Sequence, residues 1–124
     1  MPKKILVIDD TDSDLKIVTR FLSKAGYDNV VIAEDGERGV AMAASEKPDL
    51  VITDTMMPGI DGFETCRRIR ESHDRETMKI IVTTGAIDAV DAVKARKAGA
   101  DDYCVKTSDL TQLIAAVKNC IGEA

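Results

Sequence analysis

The sequence predicts an α/β fold, a five-stranded parallel sheet with helices on both faces. Two observations carry that reading. Five short apolar runs recur along the chain, each long enough for a strand and too short for a helix. Segments with apolar residues at helical spacing separate them. Strands that alternate with helices pair in parallel, and right-handed crossovers constrain the remaining topology.

The elements follow in order. KILVI (Lys4–Ile8) is the first strand. Leu15, Val18, Phe21 and Leu22 then recur at helical spacing, with Asp12 or Ser13 as the cap and Gly26 as the stop. NVVIA (Asn29–Ala33) is the second strand; Val40, Ala41 and Ala44 mark a helix closed before Pro48. LVIT (Leu50–Thr53) precedes a helix marked by Phe63, Cys66 and Ile69. KIIVT (Lys79–Thr83) precedes a helix over Ala89–Ala98 that ends at Gly99. DYCV (Asp102–Val105) precedes a helix carrying Leu110, Leu113, Ile114, Val117 and Ile121, capped by Ser108 or Asp109. With no linker, low-complexity tract or tail, residues 1–124 read as one domain.

Composition narrows the function classes. The 124 residues are 44% hydrophobic and 31% charged but only 3% aromatic, so the core is aliphatic. No apolar run is long enough to insert in a membrane, and Met1-Pro2-Lys3-Lys4 opens no secretory pattern. A net charge of −5 argues against a direct nucleic-acid surface. Cys66, Cys104 and Cys120 lack metal-ligand spacing and read as reduced thiols of a cytoplasmic protein. His73 lies in the polar stretch SHDRET and reads as a solvated loop residue.

The chemistry gathers at one edge. In open parallel sheets, ligands bind outside the carboxyl ends of the strands. There this chain places Asp9 and Asp10, Asp54, Thr83 and Thr84, and Lys106. Two carboxylates 4 Å apart repel by about 4 kcal/mol at an effective dielectric near 20. Such a cluster raises its own pKa values or takes counter-charge, and hard oxygen ligands suit Mg²⁺. The cation, Lys106 and a threonine hydroxyl together can hold a phosphoryl group, and a carboxylate can serve as nucleophile.

The motifs VIDD (Val7–Asp10), DTMMPGIDG (Asp54–Gly62), VTTGA (Val82–Ala86) and GADDYCVK (Gly99–Lys106) together resemble those of response-regulator receiver domains. These are the phosphoacceptor modules of two-component signalling, and the resemblance extends to single-domain chemotaxis-type regulators. It implies a flavodoxin-like, doubly wound (βα)5 fold with strand order 2-1-3-4-5. It makes Asp54 the phosphoacceptor, Asp10 a direct Mg²⁺ ligand and Asp9 an acid that holds the metal through water. The main-chain carbonyl of Met56 becomes a further ligand. Thr84 binds phosphoryl oxygens, Lys106 pairs with them, and Tyr103 changes rotamer with Thr84. Pro58 and Gly59 shape the loop after the acceptor. The implied partners are a histidine kinase or phosphotransfer protein, and a downstream protein that reads the surface of the fourth helix, fifth strand and fifth helix. The domain would assist its own phosphorylation and dephosphorylation without being a turnover enzyme.

Some residues depart from the family pattern. Thr107 and Ser108 follow Lys106 where the family usually has a proline after a cis bond, so this loop is either trans and rearranged or strained. Met56 and Ala86 cannot orient an attacking water, which implies slow self-catalysed hydrolysis. The alanine-rich fourth helix buries little area and reads as weakly anchored. A phosphohydrolase with an aspartyl nucleophile would place a second acid at position 56, and a nucleotide module would carry a glycine-rich phosphate loop; neither is present. A pseudo-receiver that only binds fits poorly with the intact acids, threonine and lysine. The chain reads as a stand-alone regulator or a receiver excised from a longer protein.

Overall fold

In the computed structural model, residues 3–85, 89–106 and 110–123 are described. The elements run β1 (Ile5–Ile8), α1 (Asp12–Lys24), β2 (Val30–Ala33), α2 (Gly36–Glu46), β3 (Leu50–Asp54), α3 (Gly62–Arg70), β4 (Lys79–Thr84), α4 (Ala89–Ala98), β5 (Asp102–Val105) and α5 (Thr111–Ile121). The strands form one sheet in the order β2-β1-β3-β4-β5, and all four pairings are parallel. This is the expected doubly wound architecture. Strand ends differ from the sequence reading by a single residue: Lys4 and Asn29 stay outside, while Asp54 and Thr84 extend β3 and β4.

Alternation along the strands feeds two cores. Leu6, Ile8, Val51, Ile80 and Val82 pack in one layer with Ala43 of α2, Phe63, Cys66 and Ile69 of α3, and Ala95 and Ala98 of α4. Ile5, Val7, Ile52, Ile81 and Cys104 pack in the other with Leu15, Val18 and Leu22 of α1 and Leu113 and Val117 of α5. The central strands are buried on both faces, which explains their uninterrupted apolar runs.

Several local expectations are corrected. The N-cap of α1 is Thr11, which makes no side-chain cap bond, and Asp12 is already helical. Gly26 does end that helix, at φ 97. In α2, Ala41 and Ala44 face solvent; Gly36, Gly39 and Ala43 face inward. The reason is close packing: a Cβ on Gly39 would lie 2.3 Å from Ile8 Cδ1. Lys47 closes α2 in the left-handed region, just before Pro48. For α5, Ser108 and Asp109 lie outside the described residues, and Leu110 occupies the N-cap position at φ 52.

A clamp ties the edge remote from the strand carboxyl ends. Arg70, the last residue of α3, donates Nε to Gly99 O at 2.8 Å, Nη1 to Met78 O, and Nη2 to Asp101 Oδ2 at 2.7 Å. Asp101 Oδ2 also accepts the Ile80 N–H at 2.8 Å. One guanidinium therefore fastens α3 to the start of β4 and to the turn entering β5. No helix among the described residues is long and apolar enough to cross a membrane.

Candidate functional site

β1, β3 and β5 deliver the site. Asp9 follows β1 directly; its N–H donates to Ala33 O at 3.1 Å and its Oδ1 accepts the Thr11 N–H at 3.1 Å. These bonds fix a carboxylate on a residue only 3% exposed. Asp10 is exposed beside it. Asp54 ends β3 in register with Thr83 of β4, and its Oδ1 accepts the Thr55 N–H at 2.9 Å. The Thr55 N–H also reaches Thr83 O at 3.0 Å, so the strand end is held by the sheet. One carboxylate oxygen from each of Asp9, Asp10 and Asp54 lies within 4.8 Å of the others.

Lys106 projects into the same cluster from the end of β5. Its N–H donates to Thr84 O at 2.7 Å, which continues the sheet pairing past β5. Its Nζ lies 2.9 Å from Asp14 Oδ2, 3.3 Å from Asp9 Oδ2 and 3.7 Å from Asp54 Oδ2. A cleft of about 470 Å³ opens over these groups and is lined by Asp14, Asp54, Met56, Thr84 and Lys106. Met56, 82% exposed, stands at its mouth. Thr84 also lines the neighbouring cleft beside Phe63 and Lys94, between β4 and the helices α3 and α4.

The electrostatics are strained toward negative charge. Burial pushes the Asp54 carboxyl above its ordinary pKa; Lys106 opposes this, while Asp9 and Asp10 add to it. Burial likewise raises Asp9, against the Thr11 N–H and Lys106. For Lys106, burial acts to lower the pKa, but the Asp14 hydrogen bond and the charges of Asp54 and Asp9 outweigh it, and the net shift is upward. Three carboxylates, Asp9, Asp14 and Asp54, thus share one ammonium group, and Asp10 adds a fourth negative charge beside two of them. A set of hard oxygen donors with excess negative charge fits a divalent cation such as Mg²⁺.

Asp9, Asp10, Asp54, Thr84 and Lys106, chosen from sequence, meet at this rim. Tyr103 lies apart, two residues earlier than Val105 on β5, against Ala92, Ala95 and Arg96 of α4. Its hydroxyl is buried without a hydrogen-bond partner among the described residues. Ala86 and the Lys106–Thr107 peptide fall outside the described residues. The nearest partner of Lys106, Asp14, was missed by sequence reasoning. Its signal was its place in the first turn of α1, the helix that starts directly after the Asp9–Asp10 strand end.

Comparison with known proteins agrees with this architecture. PhoP, the alkaline phosphatase synthesis transcriptional regulatory protein of Bacillus subtilis, is 38% identical over 118 residues, which is 95% of this chain and 48% of that protein. The response regulator MprA of Mycolicibacterium vanbaalenii is 39% identical over 118 residues, 95% of this chain and 50% of its own length. The chain therefore spans about half the length of the curated relatives it matches. The solved structure of the response regulator TrrA from Thermotoga maritima, in complex with Mg²⁺-BeF, superposes with a TM-score of 0.86 at 34% identity, covering 96% of this chain and 99% of that one. Residues 5–118 match the family model for the response regulator receiver domain, and the chain belongs to that family.

Proposed function

We propose that residues 1–124 form a phosphoacceptor switch in a two-component phosphorelay, with Asp54 as the acceptor. The observation that carries this reading is the placement of Asp54 at the floor of an open cleft, with Asp9, Asp10 and Lys106 around its carboxylate. A carboxylate oxygen of Asp54 attacks the phosphorus of a phosphohistidine on a histidine kinase or phosphotransfer protein. The O–P bond forms as the P–N bond breaks, and its electron pair stays on the imidazole nitrogen. The ring departs as neutral imidazole when its other nitrogen carries a proton. Lys106 lies within reach of the transferred oxygens, and Thr84 lines the same cleft to donate a hydroxyl hydrogen bond. Asp10 and Asp54 would hold Mg²⁺ directly, with the Met56 main-chain carbonyl as a further ligand and Asp9 acting through water. The bound ion supplies positive charge that neutralises the phosphoryl oxygens. The similar protein TrrA is solved with Mg²⁺ and a beryllium fluoride group.

The readout is a changed surface. A phosphoryl group adds charge and acceptor oxygens next to Thr84, and Tyr103 answers under α4. The buried hydroxyl of Tyr103, without a hydrogen-bond partner among the described residues, supports a residue able to gain a bond by moving. A downstream protein would read the face made by α4, β5 and α5. The domain assists its own phosphoryl transfer and loss without turning over a substrate. It acts in the cytoplasm, where its free thiols stay reduced. The test is intact mass after incubation with Mg²⁺ and phosphoramidate. Gain of one phosphoryl group by the parent and none by Asp54→Ala is expected; no gain by the parent would overturn the reading.

A further inference from the structure

We infer that Asp14 is a positioning residue that holds Lys106 away from Asp54 until a phosphoryl group competes for it. This rests on the phosphoacceptor reading above. The lysine ammonium group sits at hydrogen-bond distance from Asp14, 2.9 Å, and from Asp9, 3.3 Å, but stands 3.7 Å from the acceptor carboxylate. Asp14 is the shortest of the three contacts. It comes from a helix and not from the strand ends that supply the rest of the site. Its side chain has no other hydrogen bond or ion pair among the described residues, so Lys106 is its single anchor.

The chemistry makes this contact reversible. The Asp14 side chain is 37% exposed, so water replaces its lysine partner readily, whereas the Asp9 side chain is 4% exposed and has no such recourse. A phosphoryl group on Asp54 carries more charge than a carboxylate and presents several acceptor oxygens. Lys106 then leaves Asp14, the more exposed partner, while its contact with the buried Asp9 keeps it at the site. Asp14 thus stabilises the resting arrangement of the lysine relative to the phosphorylated one. Removing its charge should favour the phosphorylated state without any new contact at Asp54.

The test uses beryllofluoride binding in Mg²⁺, followed by ¹⁹F NMR, together with the rate of phosphorylation by phosphoramidate. Asp14→Asn should bind beryllofluoride about threefold to tenfold more tightly than the parent, the equivalent of about 0.6–1.4 kcal/mol. It should also phosphorylate faster. Asp14→Glu, which keeps the charge and the reach, should stay near the parent. Asp12→Asn removes the same charge from the same helix end, but Asp12 pairs with Lys16 at 3.1 Å and does not touch Lys106. An equal gain in Asp12→Asn would assign the effect to general charge and overturn the inference. So would unchanged or weaker binding by Asp14→Asn. No uptake by the parent would instead remove the phosphoacceptor reading itself, and this inference with it.

Discussion

Gly62 is the residue on which the geometry of the acceptor loop depends most directly. It opens α3, and its N–H donates to Thr55 O at 2.8 Å. A Cβ built there would stand 2.0 Å from Asp54 O, 2.9 Å from Asp54 C and 2.9 Å from Thr55 Cα. All are main-chain atoms, so no side chain can swing aside. Ordinary contact begins at 3.4 Å, and relief therefore requires a displacement of about 1.4 Å. Helix propensity alone would make Gly62→Ala stabilising by about 0.5–1 kcal/mol. Overpacking costs about 1–3 kcal/mol, and a backbone neighbour on a central strand places this case at the upper end. The expected net loss is about 2 kcal/mol, read as a lower urea midpoint. The same displacement moves Asp54 against Lys106, and a misplacement near 1 Å costs on the order of 100-fold in rate. Phosphorylation by phosphoramidate should fall accordingly. A urea midpoint at or above the parent's, with a rate within threefold, would refute the reasoning.

Arg70→Met should cost about 3–5 kcal/mol, because it strands the nearly buried Asp101 carboxylate and removes the donors to Gly99 O and Met78 O. Urea unfolding reads this directly, and a loss below about 1 kcal/mol would mean the clamp is dispensable. Tyr103→Phe removes a buried hydroxyl that has no partner among the described residues, so the resting domain should gain about 1 kcal/mol, or about 3–5 °C in Tm. A lower Tm would show that the hydroxyl is satisfied. Burial pushes the thiols up, Cys66 and Cys120 to about 11 and Cys104 to about 12. Because the thiolate is the reactive form, native-state alkylation should be slow at pH 8 and keep accelerating beyond pH 10. A rate that levels off near pH 9 would contradict this.

Much of the molecule is legible in its amino-acid sequence. The five strands were readable because a strand buried on both faces must be apolar throughout, and Leu50–Ile52 and Ile80–Val82 are. Helices α1, α3 and α5 were readable because large aliphatic side chains show which face is buried. Helix α2 was not. Its inward face is made of Gly36, Gly39 and Ala43, and small residues leave almost no hydrophobic period. The helix caps were also misplaced at α1, since three polar candidates in a row, Thr11, Asp12 and Ser13, differ only in backbone conformation.

The sequence by itself determined the element order, the parallel sheet and the end of that sheet where Asp9, Asp10, Asp54, Thr84 and Lys106 gather. Those follow from periodicity and chain direction, which are local properties. Only the tertiary structure decided that Lys106 rests nearest Asp14, that Arg70 locks the opposite edge, and that Gly62 admits no Cβ. Each depends on distances between segments far apart in the chain, and these are set by how helices seat on the sheet to within an ångström. Over that range close packing turns from attraction to repulsion and an ion pair gains or loses its hydrogen bond, whereas hydrophobic burial changes little.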